Sequence, residues 1–213
     1  CSVREYSVVC TIQCRSSLAE PFTSNTIPPQ LGLGSTVSEQ TPRPIRGLLS
    51  RKVVLAACSY HHSIMLCSDG SVYSCGRNDS GQLGHGDVVD KKTPQCITHI
   101  ASNVCSISCG QFHSVCSTTS GVAYACGKND YGQLGIENTT IVKMFTPVTV
   151  HGECEAVVQV CCGYYHTLLL SSSGVVAGFG RNDYGQVSFS GVTVPCKVVN
   201  FTCSSALLFT FCS

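Results

Sequence analysis

Three histidines, His62, His113 and His166, invite a chemical reading first, because imidazole serves as acid, base or metal ligand near neutral pH. Three aspartates, Asp79, Asp130 and Asp183, each follow a cation by two residues: Arg77, Lys128 and Arg181. Seventeen cysteines add thiols that zinc sites or disulfides could use. Spacing decides among these chemistries. The histidines stand 51 and 53 residues apart, and so do the aspartates. A catalytic group is singular and sits in a pocket with a shifted pKa. A column that repeats does the same local job each time. Both columns therefore read as scaffold, the histidines bonding a neighbouring backbone group and the aspartates capping a loop beside their cations. His61, His85, His99 and His151 do not recur and read as exposed loop residues. No Cys-x-x-Cys occurs; Cys10/Cys14 and Cys105/Cys109 meet the close spacing of a zinc site only loosely, the latter on an expected strand, and Cys161/Cys162 are adjacent. Phosphate-loop, nucleophile-elbow and His-Glu-x-x-His motifs are missing from the sequence. No catalytic residue, cofactor or metal is expected.

The elements that carry these columns form repeats. Residues 58–87, 109–138 and 162–191 align without a gap, and eight of the thirty columns are identical in all three. Each block opens Cys-x-x-x-His and runs into an apolar stretch such as Ser63–Leu66 or Thr167–Leu170. A polar turn ending at Gly70, Gly121 or Gly174 follows, then a second short run: Val72–Cys75, Val122–Cys126 or Val175–Phe179. Runs of this length, rich in β-branched, aromatic and Cys residues, read as strands of a hairpin. The block closes on Gly-Arg/Lys-Asn-Asp-x-Gly-Gln. Gly76, Gly127 and Gly180 end the second strand, and Gly81, Gly132 and Gly185 are expected at positive φ. Asn78, Asn129 and Asn182 are expected to bond nearby amides, making a self-capped loop with Gln82, Gln133 and Gln186.

Between blocks, residues 88–108 and 139–161 each hold a Thr-Pro step and then an apolar stretch, Val104–Ser108 or Ala156–Cys161, matched by Val53–Ala57 before the first block. A connector thus supplies one or two more strands. Four short strands in about fifty residues is the arithmetic of a β-propeller blade. A broken unit precedes the first block: Gln30–Gly34 lies 52 residues before Gln82–Gly86. Three regions result: a non-repeat segment 1–29, the repeats 30–191, and a tail 192–213 outside the pattern.

The net charge of +1 gives no field for nucleic acid, and charged residues are only 12% of a composition that is 43% hydrophobic, as a folded chain requires. A chain this long can build a core without disulfides, so the cysteines read as reduced, with Cys58, Cys75, Cys109, Cys126 and Cys162 packing as small apolar groups on strands. That points to cytoplasm or nucleus. The sequons at Asn78, Asn138 and Asn200 are the features that would favour secretion. The first residues, CSVREYSVV, lack Met and an apolar leader, and the reading is that the chain starts inside a longer protein.

Gly110-Gln-Phe-His113 with Gly127-Lys-Asn-Asp-Tyr-Gly-Gln-Leu-Gly135, and Gly163-Tyr-Tyr-His166 with Gly180 to Gln186, closely resemble the repeat of the regulator of chromosome condensation family. The first block carries Ser59 where the family has Gly, and after Gln186 the chain reads Val187-Ser-Phe-Ser. The resemblance covers residues 30–187 and implies an all-β fold, a partial β-propeller of about three to four four-stranded blades out of the family's seven. It also implies a protein-interaction scaffold. The wording of the repeats, SCGRNDSGQLGHGD above all, is most similar to the docking propellers of very large Myc-binding, Highwire-type ubiquitin ligases, with HECT ligases second. The alternative is nucleotide exchange on a Ran-like GTPase, for which these connectors leave little room. The implied partner is a protein, a ligase substrate or a small GTPase, with no membrane. Its candidate contacts are Tyr131 and Tyr184, which follow the Asn-Asp turn, and the least repetitive loops, 87–92, 136–143 and 151–155.

Overall fold

A computed structural model describes residues 30–100, 103–137, 140–150, 156–187, 198–203 and 208–212. Segment 1–29, His151 and the loop 151–155, and Cys10/Cys14 lie outside the described residues.

The repeats fold as antiparallel sheets arranged as an open part of a propeller, with no α-helix among the described residues. The first blade is β1 (Val53–Cys58), β2 (His62–Cys67), β3 (Val72–Gly76) and β4 (Lys91–Ile97), paired in that order. The second is β5 (Val104–Cys109), β6 (His113–Thr118), β7 (Ala123–Gly127) and β8 (Val142–Pro147). The third shows β9 (Val157–Cys162), β10 (His166–Ser171) and β11 (Val176–Gly180). A separate two-stranded antiparallel sheet pairs β12 (Val198–Cys203) with β13 (Leu208–Cys212), within the tail that lies outside the repeat pattern. Each connector supplies two strands, the outermost of one blade and the innermost of the next.

The second strand of each blade explains why its run is apolar without alternation. β2, β6 and β10 are buried at every position. Successive side chains of a strand face opposite ways. Ile64 and Leu66 therefore join a core with Val104, Cys116 and Phe145 of the second blade, while Met65 and Cys67 pack with Leu48 and Tyr73 on the other face. Between the second and third blades, Val115, Ala125 and Leu134 meet Val157, Val160 and Leu169. A sheet sandwiched between two others needs apolar residues on both faces.

The outermost strands β4 and β8 are mostly half-buried or exposed. They carry Pro94 or Pro147 together with Lys91, Lys92 or Lys143. Proline and lysine on an edge discourage pairing with foreign strands. The β2–β3 turn closes with Gly70 N donating to Cys67 O at 3.0 Å and Cys67 N to Ser71 O at 2.9 Å, and Gly121 and Gly174 repeat it.

The ten cysteines described between residues 30 and 187 are free thiols. Cys75 and Cys126 are buried, and their Sγ atoms reach the carbonyls of Gln30 and Gln82, each at 3.5 Å. Burial pushes the Cys75 and Cys162 thiols up to about 12, so they stay protonated and inert as nucleophiles. Asn78 is fully buried, with both side-chain atoms bonded, so its sequon cannot receive a glycan in the fold.

Candidate functional site

The β1–β2 loop and the β3–β4 loop of an antiparallel blade emerge at the same end. That end gathers the histidine loops (59–61, 110–112, 163–165) and the Asn-Asp turns of all three blades.

The turns are built identically. The second-strand glycines sit at φ 115°, 110° and 109° for Gly76, Gly127 and Gly180. A Cβ on Gly127 would lie 2.3 Å from the Phe112 carbonyl oxygen, because the chain must pass under the histidine loop there. Asn78, Asn129 and Asn182 accept through Oδ1 from the amides of Leu83, Leu134 and Val187 at 2.9, 2.8 and 2.9 Å. Gln82, Gln133 and Gln186 accept through Oε1 from the amides of Ser80, Tyr131 and Tyr184 at 2.9, 2.9 and 2.8 Å. Gly81, Gly132 and Gly185 take φ of 72°, 74° and 77° and donate back to the Asn carbonyls. Asp79, Asp130 and Asp183 pair with Arg77, Lys128 and Arg181 in the exposed part of the turn. Exposed pairs of this kind contribute little to stability.

The histidines do not converge; each bonds across a seam. His62 Nε2 lies 2.8 Å from Ser114 Oγ of the second blade, and that hydroxyl donates to the Gln82 carbonyl at 2.7 Å. His113 Nε2 lies 3.0 Å from Thr167 Oγ1 of the third blade, which donates to the Gln133 carbonyl at 2.7 Å. Since the hydroxyl proton goes to the carbonyl, the imidazole must donate from Nε2–H. His62 Nδ1 is then left to accept from Ser59 Oγ at 2.8 Å. The second blade has Gly110 at that place, and His113 Nδ1 has no partner. Burial first, and a neighbouring histidine second, hold both imidazoles neutral, lowered to about 3. Each histidine thus clips one blade to the next through a hydroxyl and a carbonyl. The hydroxyl column Ser63, Ser114 and Thr167, next to the histidine column, was the missed signal.

Ser114→Ala should cost about 2–3 kcal/mol in urea unfolding, because it strands a buried imidazole N–H and leaves the buried Gln82 carbonyl with only the weak Cys126 thiol as donor. Ser114→Thr, which copies the third blade, should cost less than about 1 kcal/mol.

Above the clips lies an aromatic belt. Phe112 approaches His61 at 6.4 Å between ring centres, His61 approaches Tyr60 at 5.9 Å, and Tyr60 meets Tyr164 at 5.3 Å. Tyr164 adjoins Tyr165 at 6.2 Å, and Tyr165 meets Tyr131 at 5.3 Å. The Tyr60 and Tyr164 hydroxyls are bonded across 104 residues of sequence. Burial and Tyr60 push the Tyr164 phenol up to about 12, so it remains a neutral donor. Arg77 and Lys128 sit over Phe112, and Arg181 over Tyr131 and Tyr165. Tyr131 is 48% exposed and packs on the third blade, whereas Tyr184 is 84% exposed. His61, His85 and His99 are half-buried rather than exposed; His85 Nε2 bonds Ser74 Oγ at 2.9 Å. No three His, Cys, Asp or Glu side chains gather to hold a metal among the described residues.

The Regulator of chromosome condensation (RCC1) repeat matches residues 29–66, 69–117 and 120–170, and a second form of it matches 53–82, 104–133 and 157–186. The chain is 33% identical over 159 residues to the Ultraviolet-B receptor UVR8 of Arabidopsis thaliana, covering 74% of this chain and 36% of that one. It is 36% identical over 163 residues to the Probable E3 ubiquitin-protein ligase HERC4 of Rattus norvegicus, covering 75% and 15%. It is 32% identical over 144 residues to Protein RCC2 of Homo sapiens, covering 67% and 27%. The chain therefore spans little more than a third of these relatives at most. Among solved structures, human WBSCR16 superposes with a TM-score of 0.61 at 26% identity, covering 79% of this chain and 46% of that one. Prp20p of Saccharomyces cerevisiae superposes at 0.71 and 22% identity, covering 85% and 49%, a likeness of fold alone.

Proposed function

Since the chain belongs to the Regulator of chromosome condensation (RCC1) repeat family, we propose that it works as a protein-docking array rather than as an enzyme, its partner seated on the face of histidine loops and Asn-Asp turns. The aromatic belt carries this reading. It runs across three blades on residues that differ from block to block, above a scaffold that does not. Tyrosine and arginine are enriched where proteins bind, because they offer large area with few rotors to freeze. The cations over the rings are each neutralised by an aspartate, so the face suits a partner that buries aromatic surface more than one that brings net charge. Tyr131 and Tyr184 are its most exposed rings.

The finer assignment is a substrate- or partner-docking propeller of a large ubiquitin ligase, of the Myc-binding, Highwire type or of the HECT type, and the likeness to a Probable E3 ubiquitin-protein ligase supports the ligase reading. Ligase chemistry would then belong to other parts of that polypeptide, in cytoplasm or nucleus. The free thiols used as core side chains favour a reducing compartment. The competing assignment is nucleotide exchange on a Ran-like small GTPase.

A photo-cross-linking residue placed at Tyr184, and in parallel at Ser173 on the opposite end, separates these readings. Adducts with one protein from position 184 and none from 173 are expected. Tyr60→Ala with Tyr164→Ala should cut that capture at least tenfold. Equal labelling from both positions would count against the face. Release of labelled GDP from a Ran-like GTPase, accelerated by the chain, would favour exchange instead.

A further inference from the structure

We infer that β12 and β13 are the inner strand pair of a fourth blade, and that the seam behind them lacks the histidine clip and is where the array parts first. The pairing of β12 with β13 carries the first half. Val198 stands opposite Cys212, Asn200 opposite Phe211, Phe201 opposite Thr210, Thr202 opposite Phe209 and Cys203 opposite Leu208, with an irregularity between Val198 and Asn200. Shifted by 145 residues, this is the register of β1 with β2, pair for pair, including the irregularity between Val53 and Leu55. β5 with β6, and β9 with β10, show the same pattern. A hairpin formed for an unrelated reason could take either register and place its bulge anywhere. The sequence agrees: residues 53–68 and 198–213 align without a gap, with Val, Val, Cys, Ser, Cys and Ser shared. β12 also packs beside β9, as β9 does beside β5 and β5 beside β1.

The same register supplies the second half. Cys58, Cys109 and Cys162 stand opposite Ser63, Ser114 and Thr167, the last two being the clip hydroxyls and Ser63 bonding the Gln30 carbonyl in the same way. Cys203 stands opposite Leu208. Leucine has no hydroxyl to accept from His166 Nε2 or to bond the Gln186 carbonyl. In sequence, Leu207 stands where the other blades have histidine, so a clip to any later blade is also lost.

Nitrogen-15 spectra of the intact chain test this. The Nε2–H signals assigned to His62 and His113 should exchange slowly and that of His166 should not, and His166 should join them in Leu208→Ser or Leu208→Thr. Amides of β12 and β13 should exchange at least tenfold faster than those of β5 and β6. A protected His166 imidazole in the unaltered chain, or an unprotected one in a folded Leu208 variant, would overturn the missing clip. The hairpin itself is tested without any variant. Cross-strand contacts should join Phe201 to Thr210 and Asn200 to Phe211, and any other register removes the fourth blade.

Discussion

Gly127→Ala is expected to cost about 4 kcal/mol or more, enough to leave the second blade largely unfolded in water. Two independent penalties meet at this residue. Its φ of 110° is a conformation that side-chain-bearing residues rarely adopt. Its absent Cβ also leaves room for the Phe112 carbonyl oxygen at 2.3 Å and His113 Cα at 2.7 Å, and neither backbone atom can swing away as a flexible side chain would. Moving Phe112 would break its bond from the Lys128 amide, now 2.9 Å, and drag His113 off its clip. Changes above 4 kcal/mol come from such compound mechanisms. Gly132→Ala is the control. That residue has φ 74° but nothing within 4 Å of an added Cβ, so only the backbone penalty of about 1–2 kcal/mol applies. Urea midpoints of the two variants should differ widely; equal midpoints would mean that the strand end is not wedged beneath the histidine loop.

Acid should unfold the array well before its carboxylates protonate. His62 and His113 ordinarily titrate at 6.5 and are lowered to about 3 in the folded chain by burial. The unfolded chain therefore takes up a proton at each as pH falls below 6.5, while the folded chain does not until near 3. The stability these neutral imidazoles confer is complete above pH 6.5 and is lost as pH falls toward 3. Each buried histidine makes the loss about 1.4 kcal/mol per pH unit in that window. Two of them remove about 3 kcal/mol between pH 6.5 and 5, a large share of a typical domain's stability. The urea midpoint should drop steeply from pH 7 to 5, and His62→Gln with His113→Gln should flatten the slope even as it lowers the plateau. A flat profile in the unaltered chain would contradict the clip geometry. Asp87, held low by Lys91, adds its own loss only below the ordinary carboxylate range.

The hairpins were plain in the sequence because their second strands are apolar on both faces and their turns end in glycine. The outer strands were not. Lys91–Ile97 and Val142–Pro147 bury only one edge of each blade, so their residues look like loop. The turn scaffold was readable as columns, but its bonding was not, since one clip joins residues 52 apart and another residues 54 apart. The aromatic belt was half seen. Tyr131 and Tyr184 stand out by position, whereas Tyr60 and Tyr164 meet only when the first and third blades are set around one axis. The terminal hairpin escaped because its histidine and hydroxyl columns are both leucine, leaving a register that only backbone pairing reveals.

Each clip draws its imidazole and carbonyl from one blade and its hydroxyl from the next, always in that sense. Such a joint has a plug side and a socket side. A whole repeat inserted between two clipped ones brings one of each, so no donor or acceptor is left over; a repeat cut in half leaves one of each stranded. Gene duplication can therefore lengthen this protein in steps of one blade at little energetic penalty, while any step of another size is punished at the seam.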